Sequence, residues 1–352
     1  MSIKTNNFII SSLFLAFALP SFAQTADMSE HIETIVDAKP LNRVEPKYPV
    51  SAARSGQEGW VKVSFVIDEE GNVVDPLIQD SSGITSFEKE TLKAMKKWKY
   101  SPAMQDGKPI EQCQMEVQMD YKMSGQSGVT RKFNSAYVKI VEAIKSKAFE
   151  LAEKQLTEMA DSKMWTHSES GYFWLADSMY AKEVDDIQRE LASVNRALSS
   201  GKDALAGQTY LYLLNRQFIL YVSDTQYAKS MQTYKQILEQ EDNANVVAEL
   251  RPYATKVLTL LQSDKPLIHS AEIRTSGSSY HELSRESFAL RVNEGELDEV
   301  QIRCANKRSR FTASENSTWN IPSSWGQCTV FVTGTPKSKF DVVEIGAYQS
   351  AI

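Results

Sequence analysis

The hydrophobic period of this chain changes twice, and each change restricts what the flanking segments can form. Around Trp60–Ile67 and again in Cys113–Met123, apolar and polar residues alternate, as in strands with one buried face. Between Tyr137 and Leu261 apolar residues recur every three or four positions, as in amphipathic helices. From Ala271 onward short β-like runs return, separated by Gly, Ser, Asn and Pro. The pattern predicts an α+β multidomain chain: a helix on a small sheet, then a helical array, then a small β-sandwich.

In the first unit Val61, Val63, Phe65 and Ile67 lie on one face of a strand, with Lys62 and Ser64 on the other. A turn at Asp68–Asn72 leads to Val73–Ile78, where Pro76 cannot donate a ladder hydrogen bond and so predicts an edge or a bulge. Thr85 and Glu88 have capping-box spacing and open a helix carrying Phe87, Leu92, Met95 and Trp98. The last strand puts Cys113, Met115, Val117, Met119, Tyr121 and Met123 on its apolar side. The order is β-β-α-β.

A family resemblance rests on Glu45-Pro46-Lys47-Tyr48-Pro49, Ala52-Ala53, Gly56, Glu58-Gly59, Ile67-Asp68, Gly71, Ser81-Ser82-Gly83, Trp98, Tyr100, Pro102-Ala103 and Gly107-Lys108-Pro109. In this order and spacing, residues 40–123 resemble the TonB C-terminal domain. The resemblance implies a periplasmic domain that contacts outer-membrane transporters by pairing a peptide strand with a sheet edge, a mode in which main-chain bonds supply affinity. By position it implies that Met115, Glu116, Val117, Gln118, Met119, Asp120 and Tyr121 form that edge. It places Tyr48 and Pro49 where the family's Tyr-Pro pair meets the partner, although a Pro-flanked extended segment also packs against a sheet for its own stability. The chain departs from a full energy transducer. Only Asp27–Lys39 separates its cleavage site from the domain, a reach of about 45 Å when extended.

After a Gly/Ser-rich linker at 124–130, residues 131–265 carry about six helical stripes. Ala152, Glu190 and Ser230, and likewise Leu156, Val194 and Tyr234, recur at spacings of 38 and 40 residues. The spacing suggests a tetratricopeptide-like stack of helical hairpins, with a generic bundle as the alternative, and a stack would offer a concave face to a second protein partner. Residues 266–352 form the β-rich end. A Cys304–Cys328 bridge there would close a loop of about 25 residues and contribute ~3 kcal/mol. Cys113 reads as a small buried hydrophobe.

The N-terminal pattern is that of a secretory signal peptide: Lys4, an apolar run from Phe8 to Leu19, Pro20, then Ser21-Phe22-Ala23. Cleavage after Ala23 would leave a short linker at 24–39 and place the chain in the periplasm of a Gram-negative bacterium. Retained, the same run would be an anchor, but it is shorter than the ~20 apolar residues a spanning helix needs. The net charge of -6 becomes -7 when Lys4 is removed, since 38 basic residues then face 45 acidic ones. Such a balance gives no footprint for nucleic acid.

Chemistry is not encoded in any motif. The four histidines, His31, His167, His269 and His281, have no metal-ligand spacing, and Ser86–Lys89 and Ser199–Lys202 match Ser-x-x-Lys without its companion motifs. The expectation is a protein that is not an enzyme and needs no cofactor or metal. Its partner is an outer-membrane transporter or other envelope protein. The alternative is a scaffold centred on the helical array, with the first domain as a docking or homodimerising module.

Overall fold

The computed structural model describes residues 35–123, 128–162, 165–313 and 317–349. The signal-peptide call and most of both linkers lie outside these residues.

The first unit contains β1 (Ile35–Val36), β2 (Lys39–Asn42), α1 (Val50–Ser55), β3 (Gly59–Ile67), β4 (Val73–Ser81), α2 (Thr85–Met95), β5 (Lys99–Ser101), β6 (Ala103–Gln105), β7 (Lys108–Ile110) and β8 (Gln112–Tyr121). The long strands make an antiparallel sheet in the order β4-β3-β8. Helix α2 covers one face through Phe87 and Met95, packed with Val61, Val63, Phe65, Trp98 and Tyr121. β1 pairs with β6 and β2 with β5, so strand pairing starts within the segment read as linker. The turn after β3 depends on Gly71 at φ +80°, where a Cβ would stand 2.0 Å from the Tyr100 carbonyl oxygen.

Two sequence expectations fail here for local reasons. Thr85 is the first helical residue and not the N-cap; Ile84 holds that place without a side-chain bond, and Glu88 accepts from the Ser81 hydroxyl (2.5 Å). β3 is not half-buried. Trp60, Ser64 and Val66, on the face opposite α2, are buried too, and Arg303 of the last unit reaches that face at the Ser64 hydroxyl (3.5 Å).

Among the described residues seven helices follow: α3 (Arg131–Lys145), α4 (Phe149–Ser162), α5 (His167–Glu183), α6 (Ile187–Ser199), α7 (Gly207–Ser223), α8 (Tyr227–Leu238) and α9 (Ala244–Leu261). The expected six becomes seven because Lys147, at φ +59°, ends α3 and separates α4 from it. The same turn recurs at Asp185 (φ +57°) and Thr225 (φ +58°), again 38 and 40 residues apart. In each, the amide of the next residue reaches back five positions: Ala148 to Ala143, Asp186 to Ala181, Gln226 to Tyr221. This bond is the Schellman closure of a helix end. The three turns join α3 to α4, α5 to α6 and α7 to α8. The aromatics Trp165, Tyr172, Phe173 and Trp174 pack into the helical cores.

The last unit comprises β9 (Leu267–Glu272), β10 (Ser278–Glu282), β11 (Arg285–Glu294), β12 (Leu297–Cys304), β13 (Arg308–Thr312), β14 (Thr318–Asn320), β15 (Cys328–Gly334) and β16 (Lys339–Tyr348). They form two antiparallel four-stranded sheets, β10-β15-β12-β13 and β14-β11-β16-β9. One core, including Phe288, Leu290, Val300, Ile302, Val330 and Phe340, lies between them. Cys304 and Cys328 are cross-strand partners on β12 and β15 and are disulfide-bonded.

Candidate functional site

A sheet of three strands has two edges, and here they are treated differently. β8 pairs with β3 in unbroken register from Met115↔Phe65 to Tyr121↔Gly59. Which backbone groups of β8 face outward follows from β3. The Trp60 carbonyl accepts from Ser82 N, so Trp60 turns its peptide groups toward β4. Successive residues of an antiparallel strand alternate sides. Val61 and Val63 therefore face β8, their partners Met119 and Val117 face β3, and Glu116, Gln118 and Asp120 present N–H and C=O at the open edge.

The side chains of these three lie on the face opposite α2, each held by neighbours. Glu116 pairs with Lys62 (3.1 Å) and accepts from the Gln79 amide (2.5 Å). Burial, the largest single influence, would lower the Lys62 ammonium, but the charge and hydrogen bond of Glu116, joined by the charges of Tyr280 and Glu282, together raise the lysine. Gln118 donates to Asp120 (2.8 Å) and to the Ser199 carbonyl at the end of α6 (2.7 Å). Asp120 lies 3.6 Å from His167 at the start of α5. Burial would raise its carboxyl, but His167, Gln118 and Lys122 hold it below the usual range. Met115, Val117 and Met119 are half-buried on the α2 side.

Tyr48 and Tyr121 pack within the first unit. The Tyr48 ring stands edge-on to Phe87 (5.6 Å) and Tyr121 (5.8 Å), and its hydroxyl donates to the Gln57 carbonyl (2.5 Å). Burial and nearby Glu58 push its phenol up to about 12. Tyr121 stacks on Phe87 at 4.1 Å and donates to its carbonyl. Pro49, extended at ψ 131°, stands just before α1.

The β4 edge carries two breaks in register that leave Asp75, Pro76 and Gln79 without a β3 partner. Arg303 Nη2 donates to the Asp75 carbonyl (3.2 Å), and Arg274 Nη1 to that of Gln79 (3.1 Å). The Asp75 carboxylate also pairs with Arg308 and Arg310. Asp80 is held by Arg196 of α6 (3.3 Å). Sequence reading missed these arginines; their partners are more than a hundred residues away, and only the Arg-Ser-Arg alternation of β13 hints at a charged edge.

Residues 44–123 match the model of the Gram-negative bacterial TonB protein C-terminal family. This segment belongs to the TonB C-terminal domain family. Relatives include the TonB proteins of Vibrio cholerae serotype O1, 32% identical over 83 residues (24% of this chain, 34% of that one), and of Pseudomonas aeruginosa, 39% over 74 residues (21% and 22%). The chain thus spans about a third or less of the length of these relatives. The solution structure of the P. aeruginosa TonB C-terminal domain is 33% identical, covering 26% of this chain and 90% of that one, with a TM-score of 0.24.

Burial and Glu111 push the Cys113 thiol up to about 12, which makes it a poor nucleophile. Among the described residues no cluster of His, Cys, Asp or Glu could hold a metal ion.

Proposed function

We propose that the chain is a non-enzymatic protein of the Gram-negative periplasm that binds an extended segment of an outer-membrane transporter, or of another envelope protein, by strand addition to β8. Its role is in TonB-type transport. The observation that carries this reading is the contrast between an edge whose peptide groups at Glu116, Gln118 and Asp120 have no partner among the described residues and a second edge closed by arginines. Backbone pairing supplies affinity in such a mode, and alternate side chains supply specificity. Gln118→Pro removes one outward N–H and spares the β3 ladder, so partner capture from a photo-crosslinker at Glu116 in cells should fall at least about tenfold, a loss of 1.4 kcal/mol. Capture that persists, with the thermal midpoint unmoved, would exclude strand addition.

The three repeated hairpin turns favour a second reading, in which a tetratricopeptide-like array assembles an envelope complex and the TonB-like domain docks it. That reading is supported if proteins captured from the helices are the same before and after Gln118→Pro.

A further inference from the structure

The β8 edge ends at a cavity that the sandwich helps to build. We propose that this cavity is a pocket for a lysine or arginine side chain of the strand-forming partner, an inference that rests on the strand-addition reading above. At Cys113 the edge is closed by the chain itself, because its amide donates to the Ala305 carbonyl (3.1 Å). An added strand must therefore stop beside Gln114, and its terminal residue lies over the cavity. The space measures about 310 Å³, at the low end for ligand sites and suited to one long side chain.

Its lining selects the charge. Asp37 and Glu111 contribute carboxylates, and no lysine or arginine lines the wall. Glu111 is already paired with Arg308 (2.7 Å), whereas Asp37 accepts from the Gln112 amide (3.3 Å) and forms no ion pair among the described residues. Exposed Asp37 thus leaves a negative charge at the mouth. Trp325 supplies an aromatic wall, which suits both the methylene stem and the cationic head of such a side chain. Asn306 also lines the cavity; it is nine-tenths buried, and its Oδ1 has no hydrogen-bond partner.

The disulfide fixes this floor. Ala305 and Asn306 follow Cys304 directly, Trp325 and Gly326 lie just before Cys328, and Ala305 N donates to the Trp325 carbonyl (3.2 Å).

The test is selection of random short peptides on the full, oxidised chain, followed by titration of the selected peptides and of versions with their lysine or arginine changed to alanine. The selected peptides should share a cationic residue at one end, and its replacement should weaken binding about tenfold. Asp37→Lys, and Ala305→Trp, which fills the cavity from an exposed position, should each cut that difference below about twofold. Peptides that are lost with Gln118→Pro, yet show no cationic preference or keep it in both variants, overturn the pocket and leave strand addition standing. Peptides indifferent to Gln118→Pro, or a selection that yields none, overturn strand addition and the pocket with it.

Discussion

The two edges of the β4-β3-β8 sheet share a core and a central strand, yet one is sealed and the other left open. On β4 the out-of-register residues would expose peptide carbonyls at Asp75 and Gln79, and arginines from the sandwich take both. Pro76 has no N–H to offer there. On β8 the register is unbroken from Met115 to Tyr121, the side chains are pinned by weak contacts, and the backbone groups of Glu116, Gln118 and Asp120 have no cap among the described residues. Exposed edges invite unwanted pairing, and proteins commonly block them with bulges, charges and proline. β4 carries two register breaks, a proline and arginine caps on its carbonyls that the Met115–Tyr121 stretch of β8 lacks, and this argues that the open edge is kept for pairing. The added domains touch β8 through the side chains of Gln118 and Asp120 and end its edge at Cys113, whereas on β4 they take the edge carbonyls themselves.

The largest expected break in this asymmetry is at Arg303. Its guanidinium is buried against Phe331 (4.6 Å) and joins Gln301, Ser64 and Asp75. Burial pulls its pKa down to about 10, against the opposing pull of Asp75. Arg303→Ala empties that volume and uncaps the Asp75 carbonyl, and should cost about 3 kcal/mol or more in urea unfolding. Arg303→Met keeps most of the packing and should cost about 1.5 kcal/mol or less. Equal losses would mean that the cap, not the packing, holds the edge closed.

Asp75 should matter less, since Arg308 keeps Glu111 when the aspartate is lost. Asp75→Ala should cost about 1–3 kcal/mol, part of it from placing alanine at φ +47°. Asp75→Asn tolerates that backbone and isolates the charge. A urea midpoint for Asn equal to that for Ala would assign the whole effect to the arginine pairs.

How much of this was legible in the sequence depends on the distance over which each feature is decided. The β-β-α-β order could be read from alternation and from Pro76, because both act within a few residues. The disulfide could be read because both cysteines fall in one β-rich stretch. α4 was hidden because Ala148 fits the stripe of α3, and the turn at Lys147 has no glycine to mark it. The capping box at Thr85 failed because Ser81 takes the Glu88 carboxylate. The open edge itself could not be read: alternation in Met115–Tyr121 proves a buried face, while edge status depends on sheet order. The seal on β4 is less legible still, since Arg303 and Asp75 lie 228 residues apart.

The smallest effect tests whether the open edge is as lightly held as it looks. Asp120 has its carboxyl below the usual range through His167, Gln118 and Lys122, which offset the opposing effect of burial. A carboxyl depressed in the folded state adds stability that is present above its unfolded pKa, near 3.9, and is lost as pH falls through the folded value. The Asp120 side chain is 38% exposed, so solvent screening limits this to a fraction of a kcal/mol. Urea midpoints of the wild-type chain and Asp120→Asn should differ slightly at pH 5 and converge as pH falls through that window. A gap that stays wide below it would mean that Asp120 is held by geometry and not by charge. β8 would then be a braced strand whose peptide groups an incoming strand could reach only by displacing the contacts to α5 and α6.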